Sequence, residues 1–424
     1  MSQQMFKAIQ KHAKPYQSAH DLETILDEVD DAKFVLLGEA SHGTSEFYSI
    51  RAELTKRLIQ EKGFSVIAVE GDWPSCQQIN RYVKGYHTEQ NGVRDVLQSA
   101  FKRWPTWMWA NEDIANLIGW LKKFNQEKQV DQKIGFYGID VYSMWESLEE
   151  IMNYLKETEP RGANLALAKK AFNCFEPYNR SVEKYAVSSA FYSKGCVEEV
   201  SKLLTSIRTQ AMDNADEEEN ELNMKINALV LKNAEHYYRT MVESDSESWN
   251  IRDMHMVETI NELRNYFGDE SKVIVWAHNT HVGDATATDM KEEGTINVGQ
   301  IIREQNKEED VYIVGFGTHH GTVIAAEEWG LNMEKMTVPP AIEGSWEDLL
   351  HQAGANNKIV VFNHNNRHLF KETVGHRAIG VVYHPQYESY GNYVPSVIGD
   401  RYDAFVYIDE TEALQPLTRT HVHL

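Results

Sequence analysis

The chain has 424 residues, of which 42% are hydrophobic, 11% aromatic and 25% charged. That composition excludes a disordered chain, a collagen and a small disulfide scaffold. A net charge of −22 opposes nucleic acid and anionic lipid surfaces, and no apolar run approaches the roughly 18 residues of a membrane span. The opening MSQQMFKAIQKHAKPY has no apolar stretch of the kind that directs secretion. Cys76, Cys174 and Cys196 are odd in number, far apart and outside any CxxC pattern, which predicts a reducing, cytoplasmic setting. The expected partner is a small molecule, with no nucleic acid and no membrane; oligomeric state is not readable.

In chain order, KFVLL (33–37) reads as a buried strand. The stretch 44–61 then reads as a helix, with Thr44 as N-cap and Phe47, Ile50, Leu54 and Leu58 on one stripe. SVIAVE (65–70) is a second strand, a helix comes after Pro74, and IGFYGI (134–139) is a third strand after a helix over 111–124. This rhythm predicts a three-layer α/β fold around a central, largely parallel sheet. From about 146 to 268 strand-like runs disappear and long helical periodicities replace them, so an all-helical insertion is expected between a first core segment (1–145) and a second (269–424). The acidic run 213–221 reads as a solvated turn and helix start, and the final HVHL as a frayed tail. KVIVWA (272–277), VYIVGF (311–316), KIVVF (358–362), AIGVVY (378–383) and AFVYI (404–408) are the later expected strands.

The residues just past the strands carry the chemistry. Glu39 and His42 come after KFVLL, Glu70 closes SVIAVE, Asp140 comes after IGFYGI, and His278 and His281 come after KVIVWA. In a parallel sheet these carboxyl ends share one edge, where open α/β folds bind ligands. One cleft is therefore expected to collect these six residues from over 230 positions of chain. A histidine can take a proton from water near neutral pH, and neighbouring carboxylates hold its tautomer. Arg51, nine residues past His42 on the next helix, is placed to fix a carboxylate or stabilise an oxyanion. Gly38 and Gly43 bracket the turn and would let backbone approach a ligand.

Other chemistries fit less well. Ser41 sits in EASHG rather than in a GxSxG elbow, no cysteine adjoins a base, and nucleotide-binding loops are absent. No cofactor is expected. The competing reading is a divalent metal held by Glu39, His42, Glu70, His278 and His281, although their spacing matches no specific metal signature.

Seven ordered blocks carry a resemblance: GEASHGTSEF (38–47), VIAVEGDWP (66–74), GIDVYS (138–143), VWAHNTHVGDA (275–285), VGFGTHHGTV (314–323), HRAIGVVYHPQYE (376–388) and RYDAFVYIDET (401–411). They resemble the erythromycin esterase family, some of whose members are labelled succinoglycan biosynthesis proteins. The resemblance implies hydrolysis of an ester or macrolide lactone, and with it a role in antibiotic resistance. It also implies a general base at His42, partner carboxylates at Glu39 and Glu70, an arginine at Arg51 and later histidines at His278 and His281.

Substrate-wall candidates are Asp140, Tyr142, Trp107 (within the indole-rich WPTWMW) and His319, with His320 and His384 behind them. Three functions stay in play: a metal-independent ester hydrolase, a metal-dependent hydrolase using the same cluster, and a non-catalytic small-molecule-binding protein linked to polysaccharide biosynthesis.

Overall fold

The computed structural model describes residues 3–86, 92–192, 195–209 and 219–417. Most of the acidic run and all of HVHL lie outside them. The described residues form eleven strands in chain order: β1 (Lys14–Pro15), β2 (Phe34–Leu37), β3 (Val66–Asp72), β4 (Gly135–Asp140), β5 (Val273–Trp276), β6 (Val311–Ala325), β7 (Glu334–Val338), β8 (Lys358–Val361), β9 (Val374–Arg377), β10 (Tyr393–Ser396) and β11 (Ala404–Thr411).

The central strands are apolar on both sides because both sheet faces are covered. Val35 and Leu37 of β2, Ile67 and Val69 of β3, and Ile274 and Trp276 of β5 enter one apolar layer. Their neighbours Phe34, Leu36, Val66, Ala68, Val273 and Val275 enter the opposite one. Each such aliphatic side chain, fully buried, contributes about 1.5–3 kcal/mol. The helices Ser45–Lys62 and Glu112–Asn125 fill the first layer. The second holds the N-terminal helix Gln3–His12 and the helices Asn220–Thr240 and Asp245–Phe267.

The strand order is β1-β8-β11-β6-β2-β5-β3-β4, with β7 paired to the far end of β6. From β11 through β4 every neighbouring pair is parallel, whereas β8 runs antiparallel to β11 and β1 to β8. This is the expected three-layer, largely parallel architecture, with an antiparallel margin. Between β4 and β5 the described residues form helices and turns alone. Part of this insertion builds its own core around Trp145, Leu148, Phe175, Tyr185 and Leu203. Its last two helices, however, are a layer of the main core rather than a separate body.

Two expectations change. AIGVVY is not a strand: it touches the rest of the fold through single bridges, Ile379 to Ser41 and Val382 to Ala326. The ladder lies just before it, where β9 pairs antiparallel with β10 in a two-stranded sheet. The cysteine reading also changes. Cys174 and Cys196, 22 residues apart, form a disulfide within the insertion, while Cys76 is a buried free thiol. The spacing carried no hint of this pair, and it counts against reading a reducing compartment from cysteine usage. No described helix is long and apolar enough to cross a membrane.

Candidate active site

β2, β5, β3 and β4 are consecutive in the sheet, so residues at their carboxyl ends stand side by side. β2 delivers the turn 38–44. Its two glycines admit protein backbone and side chain rather than a ligand. A Cβ on Gly43 would collide with the Ile324 backbone, and one on Gly38 with the Asn279 amide. Glu39 and His42 are thereby fixed inside the turn. The Glu39 carboxylate takes a hydrogen bond from Arg51 Nη2 on Oε2, and its Oε1 is 2.9 Å from His42 Nδ1.

Arg51 is fully buried one turn and a half into its helix. Its guanidinium lies over the Tyr48 ring at 4.6 Å and the Trp276 ring at 4.4 Å, and its Nε donates to the Phe47 carbonyl at 3.2 Å. Ring faces and a paired carboxylate together make a buried guanidinium tolerable. The chain Arg51–Glu39–His42 places the imidazole proton on Nδ1, toward Glu39, and leaves the Nε2 lone pair on the other side of the ring. His42 lines the cleft there. The Tyr48 hydroxyl, donating to the His42 carbonyl at 3.2 Å, braces the turn.

A second charged group lies across from it. Arg252, on the helix Asp245–Phe267, grips Asp140 with Nε at 2.9 Å and Nη2 at 2.7 Å, and Nη2 also meets Glu70 Oε1 at 2.7 Å. Glu70 Oε2 accepts the His278 backbone N–H at 2.8 Å. Burial pushes the Glu70 carboxyl up, but His281, His42 and Arg252 outweigh it and hold the group well below the ordinary carboxylate range. Asp140 is likewise lowered, burial being outweighed by Arg252.

His281 Nδ1 is 2.9 Å from Asp253 Oδ2, and its ring stacks on Trp249 at 4.6 Å. Burial lowers its basicity, yet Asp253 and Glu70 raise it to about 9. Arg252 Nη1 lies 2.9 Å from His281 Nε2, an approach that is a hydrogen bond only when that nitrogen is bare. Glu70 Oε1, 3.4 Å from the same nitrogen, is the acceptor within reach when Nε2 carries a proton. His278 differs. Its Nδ1 accepts the Thr280 N–H, and its ring rests against His42 with centroids 4.9 Å apart. Burial, then His42, keeps it well below the ordinary imidazole value, so it stays neutral.

The cavity above these groups has a volume of about 120 Å3. His42, Glu70, Asp140, Tyr142 and Arg252 form its polar wall, while Phe101, Trp104, Met108 and Trp109 form the apolar one. A buried, charged floor under an aromatic wall is the setting in which a polar bond can be broken away from bulk water.

The erythromycin esterase family model matches residues 59–411. The chain belongs to the erythromycin esterase family. It is 22% identical to YbfO of Bacillus subtilis (strain 168), which is named as a hydrolase, over 95% of this chain and 90% of that one. It is 23% identical to erythromycin esterase type II of Escherichia coli, over 82% and 85% of the two chains. Among solved structures, a succinoglycan biosynthesis protein superposes with a TM-score of 0.77 at 20% identity, covering 97% of each chain. The erythromycin esterase EreC, as a mutant in its open conformation, superposes at 0.66 with 16% identity, covering 93% and 95%. Membership makes this chain a hydrolase of the erythromycin esterase type.

In this family member Glu39, His42, Glu70, Asp140, His278 and His281 meet at one sheet edge, with Arg51 behind Glu39. Trp107, expected on the substrate wall, is instead buried in the core against Trp104, their centroids 5.4 Å apart; Trp104 and Trp109 face the cavity. His319 is also absent from the wall. It stacks on His351 at 3.8 Å, beside His320, where β6 has run past the sheet edge. His384 is exposed, and the Ser41 hydroxyl is spent on Thr44.

The proposed metal cluster meets a competitor. Arg252 fills the space between Glu70, Asp140 and His281, so a fixed cation stands where those donors converge. No group of His, Cys, Asp or Glu among the described residues is arranged to hold a metal ion. Sequence reading missed Arg252 and Asp253 because both sit mid-helix in the insertion. Adjacent charges beside the apolar positions Ile251, Met256, Val257 and Ile260 were the available signal.

Proposed function

We propose that the chain hydrolyses a carboxylic ester or lactone by water that His42 activates. The observation that carries this reading is the chain Arg51–Glu39–His42, which orients an imidazole lone pair over a cavity floored by ionised Glu70. His42 Nε2 removes a proton from water as the oxygen attacks the carbonyl carbon. Glu70 stabilises the imidazolium so formed, and Arg252 opposes the negative charge growing on the carbonyl oxygen. When the tetrahedral intermediate collapses, the C–O bond breaks and the imidazolium returns its proton to the departing alkoxide. A carboxylic acid and an alcohol result, and the base is regenerated without a metal.

The Escherichia coli relative and EreC are both named for erythromycin, so a macrolide lactone is the first substrate to try, beside simple esters. The test is turnover by the wild type and by His42→Ala, each with and without a chelator. A loss of roughly 10²–10⁴-fold in the variant, and no effect of chelation, are expected. An unchanged rate in folded His42→Ala overturns the assignment, and loss of rate on chelation favours the metal-dependent reading.

A further inference from the structure

A second, larger cavity opens beside the first. Its volume is about 520 Å3, and the two share Arg103, Trp104, Tyr142 and Trp329 as a common wall. The first, at about 120 Å3, falls short of the roughly 300–1,000 Å3 of ordinary ligand pockets. It has room for the reacting carbonyl and little else. The remainder of a substrate seated there has to leave across the shared wall.

The larger annex is built for a ring. Trp104, Tyr142, Trp145, Tyr237, Tyr238 and Trp329 face it. Trp329, 64% exposed on the segment between β6 and β7, leans on Trp104 with centroids 4.4 Å apart. Trp104 is itself tied down by its Nε1–H, which donates to the Leu331 carbonyl at 2.8 Å. On the insertion side, Tyr142 and Tyr237 meet edge to face at 5.3 Å, and the Tyr238 hydroxyl donates to the Tyr142 carbonyl at 2.9 Å. These contacts hold the ring faces in place before any ligand arrives, which lowers the ordering cost of binding.

The charges at the annex select further. Arg103 is closed by Asp72, and Arg180 by Glu149. Glu146 and Glu183 also line the cavity, and among the described residues neither forms an ion pair with a cation. Aromatic faces with uncompensated carboxylates attract a neutral or cationic ring and repel an anionic one.

We infer that this annex is the specificity subsite, binding the ring-bearing portion of an ester whose carbonyl lies over His42, and that it selects neutral or cationic rings. The inference rests on the hydrolase reading above and names its substrate class.

Acetate esters of primary alcohols of matched acidity, ending in methyl, naphthyl, trimethylammoniophenyl or sulfonatophenyl, provide the test, with a second series bearing the same groups on the acyl side. In at least one series, wild-type kcat/KM should be higher by about tenfold or more for naphthyl than for methyl. The ammonium ring should keep that gain and the sulfonate ring lose it. Met241 also lines the annex; Met241→Trp, which fills it, should remove the gain and leave the methyl esters within about twofold of wild type, and Tyr237→Ala, which opens its wall, should likewise remove the gain. A wild type without ring preference, or variants that retain it, overturns the subsite. If no ester turns over, the hydrolase reading fails on its own. Binding of the naphthyl alcohol, followed by tryptophan fluorescence, then decides the annex: saturable binding that Met241→Trp abolishes supports it, and no binding overturns it.

Discussion

Arg252 Nη2 lies 2.7 Å from Glu70 Oε1, although 182 residues separate them and they belong to different halves of the fold. A helix of the insertion thus reaches under the sheet edge and supplies a cation that holds Asp140 ionised and adds to His281 and His42 in holding Glu70 so. The insertion is part of the site's electrostatics.

Removing that cation tests the point. Arg252→Met keeps much of the side-chain bulk but leaves Glu70 and Asp140 buried without compensation. Breaking a buried pair from one side costs about 3–5 kcal/mol, so the melting temperature should fall sharply. Turnover should fall with it, because the cation that opposes charge growing on the carbonyl oxygen is lost. The double variant Arg252→Met with Asp140→Asn should recover part of the stability. A single variant that melts like wild type contradicts this role.

Glu39 should behave differently. Glu39→Gln retains the shape and can still accept from His42 Nδ1, but it removes the charge that stabilises the protonated ring. The expected signature is a lower kcat with KM little changed, since the effect appears only once the imidazolium forms. A rise in KM at constant kcat would mean that Glu39 serves substrate binding instead.

The positions of Glu39, His42, Glu70, Asp140, His278 and His281 were legible because each directly succeeds or ends an apolar run, and parallel strands align such ends. Arg252 and Asp253 were not, since a helix in an insertion gives no cue to where its faces dock. AIGVVY misled for a related reason. An apolar run reports burial, and Ile379 is indeed buried, but a strand also needs a neighbour with free backbone groups. Trp107 illustrates the limit of composition: three indoles in six residues signal a large apolar surface without saying which ring faces the core.

The proton balance at His281 predicts a pH dependence of stability. Its imidazole is raised from an ordinary 6.5 to about 9 in the fold. That contribution is fully present below about pH 6.5 and is lost as pH rises through about 9, on the order of 3 kcal/mol in all. Glu70 acts at the other end. Held well below 4.5, it stabilises above that value and ceases to do so as pH falls through its folded value. Melting temperatures should therefore be flat between about pH 4.5 and 6.5, decline from there to about pH 9, and level off above it. His281→Gln should flatten the alkaline decline; an unaltered slope would place its origin elsewhere.

The disulfide yields the last expectation. Cys174 lies at the end of the helix Ala163–Phe175, and Cys196 stands just before the helix Val197–Thr209, so the bond closes a loop wholly within the insertion. Both helices pack into the insertion's own core, which shares Tyr142 and Trp145 with the annex. A loop of 22 residues restricts the unfolded chain enough for about 3 kcal/mol of stabilisation. Thiol titration of protein unfolded without reductant should find one free thiol, Cys76, rather than three. Cys174→Ser with Cys196→Ser should lower the melting temperature and raise proteolytic cutting within the insertion. Rates on small esters should change little, because Glu39, His42 and Glu70 are anchored by the sheet. Three free thiols in protein purified without reductant would refute the bond.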